Sequence, residues 1–147
     1  ENQMQILENL AQIDIDLADS CGNGEYRQVA IDVLGEIVSQ GWDTYDTYDT
    51  LAVLYEKQGQ LDSARQTVDT MMEKFGEDYN VYMRYAFLEI DAQELLDNSD
   101  RDYTQFAQYY EKALQLYNEE MTDNNEDNEM LLLESVYAQV VEGGWLE

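Results

Sequence analysis

No proline interrupts any of the 147 residues. A proline inside a helix removes a backbone donor and collides with the preceding turn, so a chain without one can run helix through every long segment. Glycines mark the stops instead. Gly22 with Gly24, Gly41, Gly59, Gly76, and Gly143 with Gly144 each follow an amphipathic stretch. Glycine just past a helix end takes the left-handed conformation that closes it. The segments between predict seven helices, at about 3–20, 25–40, 44–58, 61–75, 79–97, 102–120 and 127–142. Their apolar spacing agrees. Val29, Val33, Ile37 and Val38 share one face of the second segment, and Leu61, Ala64, Val68 and Met71 form a stripe on the fourth. Asp43, Asp100 and Asp102 stand where a carboxylate favours the start of the following helix. Tyr45 and Tyr48 recur every third residue, which fits a first helical turn and not a strand.

Hydrophobic residues make up 44%, with twelve Tyr, three Phe and two Trp, enough to pack a core between helices. Seven Lys and Arg face thirty-three Asp and Glu, a net charge of −26. Such a surface repels nucleic acid and anionic lipid and attracts basic proteins or cations, and it equally well serves only solubility. Histidine is absent. That removes the commonest general base and most zinc and iron sites. Cys21 is the sole cysteine, so no intrachain disulfide forms and the cytoplasmic or extracytoplasmic side of a cell stays open. It falls on an inward position, with no histidine to activate it, and reads as a core residue. No apolar run approaches the ~20 residues of a membrane span. The sequence opens on Glu1 without an initiator Met, which reads as a piece of a larger protein or a mature form.

A period of about 34 residues organises the helices. Tyr48-x2-Leu51-Ala52-x2-Tyr55, closed by Gly59, is followed by Ala64 and then Gly76. This stretch resembles a tetratricopeptide (TPR) repeat: small residues at Ala52 and Ala64 let two antiparallel helices approach while Leu51 and Tyr55 fill the space beside them. One period earlier stand Leu17, Ala18, Ala30 and Leu34, with Asp14 and Cys21 replacing the aromatics. One period later stands Tyr82-x2-Tyr85-Ala86, and Tyr109 to Leu116 is similar to a TPR second helix. The third pair carries about eight extra residues around Glu94 to Arg101, and Phe106 occupies a position expected to be small. A lengthened first helix and a wider crossing are expected there. The resemblance implies an all-α, right-handed superhelical stack of three repeats, at about 8–43, 45–78 and 79–120, capped by a helix at about 127–142, with Trp145 and Leu146 folding back on the cap. Gly41-Trp42 and Gly143-Gly-Trp-Leu146 also resemble the TPR tails of bacterial serine/threonine kinases, although no kinase motif lies in the chain.

The resemblance further implies a non-enzymatic, cofactor-free module of a larger bacterial protein that binds a partner segment along the first helices of its pairs. The groove positions fall on Gln12, Ile15 and Asp19, then Asp46, Asp49, Val53 and Glu56, then Asn80, Met83 and Phe87. The Lys, Arg and Asn set that clamps a C-terminal carboxylate in the best-known grooves of the family is missing. The acidic and apolar mixture points to a protein or peptide with basic residues beside an apolar anchor. Val53, Met83 and Phe87 equally suit packing between repeats. Two other readings stand beside this one. In one, an exposed apolar face pairs with a second copy in a structural or self-associating role. In the other, Asp123, Asn125, Asp127 and Glu134 have the spacing of an EF-hand calcium loop with Asn128 in the glycine position. A helix starting near Asp127 prevents those residues from wrapping an ion. The Asp97–Asp102 run lacks both the glycine and the final Glu and reads as a solvated loop.

Overall fold

Side chains placed just before the helices decide where they begin. Asn23 accepts from the Glu25 amide, Thr44 from Thr47, Asp78 from Val81, and Asp127 from Glu129 and Met130. Each satisfies donors that a helix start leaves unpaired. A computed structural model describes residues 2–120 and 127–146, and all regular structure among them is helical. The elements are α1 (Asn2–Cys21), α2 (Gly24–Ser39), α3 (Tyr45–Lys57), α4 (Leu61–Phe75), α5 (Tyr79–Glu94), α6 (Thr104–Glu120) and α7 (Asn128–Glu142). Asp43 is not a cap. It accepts the Tyr48 hydroxyl at 2.5 Å, and Thr44 forms a reciprocal capping box with Thr47.

Three helix ends share one geometry. After α3, Gly59 N–H donates to Glu56 and Gln60 N–H to Tyr55. The same pair of bonds closes α2 through Gly41 and Trp42, and α7 through Gly144 and Trp145. This is the Schellman arrangement, which needs a positive φ at its central residue; Gly59 has φ +76. The two Gly-Trp dipeptides are therefore helix stops in which the Trp follows the left-handed glycine.

The chain forms two compact units, Glu1–Met71 and Met72–Glu147, with the boundary inside α4. In the first, α1 and α2 pack as an antiparallel hairpin. Its core gathers Ala11, Ala30, Leu34, Ile37, Leu51 and Leu54. Side-chain bonds orient α3: Gln58, just past its end, donates to the Gly24 carbonyl at 3.1 Å and accepts from Arg27 at 2.9 Å. Thus α3 runs antiparallel to α2 and parallel to α1. The small contact residues Ala18, Ala30, Ala52 and Ala64 are all buried.

The second unit repeats the arrangement. α5 and α6 form the hairpin and α7 packs on both. The Tyr79 hydroxyl reaches Asp127, and the Arg84 guanidinium takes both carboxylate oxygens of Glu129, so α7 runs parallel to α5. Tyr110 stacks on Tyr137 with ring centres 4.4 Å apart, and Phe106 packs on both. The tail turns back against the hairpin: Trp145 meets Tyr103, just ahead of α6, edge-to-face at 5.3 Å, and Leu146 packs against the core.

Several expectations are corrected. α5 is longer than α3, 16 residues against 13, but stops at Glu94 and not 97. The remaining extra residues form an exposed connection with a short 3-10 turn at Asn98–Asp100. Arg101 closes α5 in place of a glycine, donating to the carbonyls of Leu96 and Glu94 at 3.0 and 3.2 Å. Cys21 is exposed, because α1 ends there and Gly22 turns the chain away. Leu17, one period before the buried Leu51, is also exposed.

Candidate interaction groove

Parallel first helices leave a furrow between them, and α1 and α3 do so here. A cavity of about 190 Å³ lies between them. Glu8, Gln12 and Ile15 reach it from α1, and Asp46 and Thr50 from the first turns of α3. Ala11 and Leu34 contribute apolar surface to it. Of the groove positions read from sequence, Gln12, Ile15 and Asp46 thus meet in one place. Glu8 and Thr50 were not anticipated, although each lies four residues from an anticipated one, Gln12 and Asp46, on the same helical face.

The chemistry is that of a cation-accepting, partly apolar cleft. Two carboxylates, Glu8 and Asp46, stand with amide and hydroxyl groups around Ile15, and no Lys or Arg is among the described lining residues. Asp46 is exposed and lies in the first turn of α3, where the helix dipole also favours a negative charge. At the other end of the helices Asp19 meets Lys57 at 3.7 Å, with both side chains about half exposed. Such a pair contributes little to stability. Asp49, Val53 and Glu56 continue the Asp46 face along α3 and are half-buried.

The positions anticipated on α5 fare differently. Met83 is fully buried in the core of the second unit and presents no surface to a partner. Phe87 packs partly buried against that core, and Asn80 is half-buried in the first turn of α5. The alternative reading of Met83 as packing holds because Tyr103, Phe106 and α7 close over that side of α5.

In the calcium-like constellation, Asp123 and Asn125 lie outside the described residues. Asp127 caps α7 through one carboxylate oxygen and accepts the Tyr79 hydroxyl at 2.8 Å through the other. Asn128 is helical and not left-handed, and Glu134 lies within α7, where its charge helps to raise the pKa of Tyr110 after the larger effect of burial.

No family model matches the chain, and neither a curated protein nor a solved structure shows a match to it.

Proposed function

We propose that the chain is a non-enzymatic protein-interaction module built from TPR-like helix pairs. The α1–α3 groove receives a partner segment that carries basic residues beside an apolar side chain. The observation that carries this reading is the convergence of Gln12, Ile15 and Asp46, with Glu8, in one cleft between two parallel helices. A carboxylate pair flanking an apolar surface selects a cationic segment by charge and anchors it by burial. The repeat reading draws support from the alternation of antiparallel and parallel helices in each unit and from the buried alanines at the contact positions. A right-handed superhelical stack is the assembly proposed for such pairs.

The test compares the unaltered chain with Ile15→Glu and Asp46→Lys variants, each first shown by circular dichroism to be helical. A partner captured by the unaltered chain is purified and titrated against all three. Loss of affinity in both variants supports the groove. Equal affinity in the charge-reversed variant refutes it.

A further inference from the structure

Unlike the buried side of α1, its outer side carries a second apolar row. Ile6, Leu10, Ile13 and Leu17 are all exposed, Ile6 by 63% and Ile13 by 55%. Their spacing of four, three and four residues is the seam period of two helices packed along their length. The row covers ~16 Å of helix axis, enough for a partner helix of about three turns. At its N-terminal end the row meets a cavity of about 330 Å³ lined by Ile6, Leu7 and Trp42 with the carboxylate of Glu36. A large apolar side chain fits there beside a cation.

Charge decides the kind of partner. Residues 1–40 hold eight Asp and Glu against one basic residue, Arg27, which bonds to Gln58. Asp14 follows Leu10 by four residues, at the edge of the row, and is only 8% exposed. Its Oδ2 is buried with no hydrogen-bond partner. A second copy of this chain brings acid against acid across the seam, which costs free energy at every flanking pair.

We infer that the outer face of α1 docks a basic amphipathic helix from another protein, at a surface distinct from the α1–α3 groove. Its apolar residues lie along Ile6, Leu10, Ile13 and Leu17, and its flanking Lys or Arg meet the exposed carboxylates of Asp16 and Glu36.

The test is calorimetric titration with a synthetic helix of about 18 residues, carrying Leu at the seam positions and Lys at the flanks. Two control peptides are a shuffled sequence of the same composition and a version with Glu at the flanks. Protein variants are Ile13→Glu, Ile6→Glu and Asp16→Asn, each checked for helicity, and Asp46→Lys in the groove. The expected result is saturable one-to-one binding that Ile13→Glu or Ile6→Glu weakens by about tenfold or more, that Asp16→Asn weakens less, and that Asp46→Lys leaves near its original value. Equal binding of the shuffled peptide overturns the proposal, as does tight binding of the Glu-flanked one. So does a dimer in light scattering that Ile13→Glu dissolves, because a second copy then covers the row. Loss of this binding leaves the groove reading untouched, since Asp46→Lys and Ile13→Glu report on the two surfaces separately.

Discussion

The Tyr79 hydroxyl donates to Asp127 Oδ2 at 2.8 Å, while Oδ1 of the same carboxylate accepts the first free amides of α7. One side chain thus starts α7 and fixes it beside the first turn of α5. Asp127→Ala removes a cap and orphans a tyrosine, and is expected to destabilise the protein by about 2 kcal/mol. Tyr79→Phe costs about half that, keeping the cap. Urea unfolding of the two variants and their double checks both figures, and the double variant should cost less than the sum of the singles.

Arg84 and Glu129 form the second link between the same two helices. The guanidinium is largely buried and the carboxylate is half exposed. Glu129→Gln therefore leaves a buried cation with weaker acceptors, although solvent at Glu129 screens part of the loss. A destabilisation of about 1 kcal/mol is expected, smaller in high salt than in low. Denaturant midpoints at two salt concentrations measure it.

In the proposed repeat register, Phe106 corresponds to Ala64 and Ala113 to Met71. All four are fully buried. The large and small residues have exchanged places two turns apart, so the summed volume along the helix face is nearly kept. Phe106→Ala should cost about 3–5 kcal/mol through the cavity it leaves, and Ala113→Met about 1–3 kcal/mol through overpacking. The double variant is expected to be more stable than Phe106→Ala alone. If it is no better, the two sites do not share one packing volume.

Alkaline pH should unfold the protein through its tyrosines. Burial first, and then the Glu77 carboxylate, push Tyr82 up to about 12. Burial and Asp127 raise Tyr79 further, and burial with Glu134 raises Tyr110. The folded state holds these protons more tightly than the unfolded chain. The stability they contribute is complete below the usual tyrosine value near 10 and is lost as pH rises from there through 12. Tyrosinate absorbance followed together with circular dichroism checks this. The tyrosines with raised pKa should ionise in step with loss of helix, and in Tyr82→Phe the loss should begin at higher pH.

Gly143 is held by a close approach. A Cβ there comes within 2.9 Å of the Trp145 Cδ1 and 3.2 Å of the Gln139 carbonyl. Gly143→Ala is expected to displace the indole from Tyr103, visible as a red shift and change of intensity in Trp fluorescence, while Trp42 gives an unchanged background. A spectrum identical to that of the unaltered chain contradicts the contact.

Helix positions were legible because their causes are local. Apolar spacing, polar caps and glycine stops act within a few residues, and six of the seven anticipated helices end within two residues of the observed positions. α5 broke the rule because its stop is supplied by Arg101, seven residues beyond the carbonyl of Glu94, a bond that no short-range pattern announces. The fate of the groove positions was likewise not local. Ile15 and Met83 occupy comparable places in the proposed repeat, yet one lines an open cleft and the other disappears under Phe106 and α7.

The sequence by itself determined a helical fold, the ends of every helix but α5 to within two residues, its strong negative charge and the alanines at helix contacts, since each follows from residue chemistry or short-range periodicity. Tertiary structure alone decided which apolar faces are covered. Met83 is buried while Ile6, Leu10, Ile13 and Leu17 remain open, and Asp14 is enclosed while Cys21 is exposed. Helical spacing places residues on a face, but burial of that face depends on which distant helix packs against it, and that choice is made by long-range bonds such as Tyr79 to Asp127 and Gln58 to Gly24.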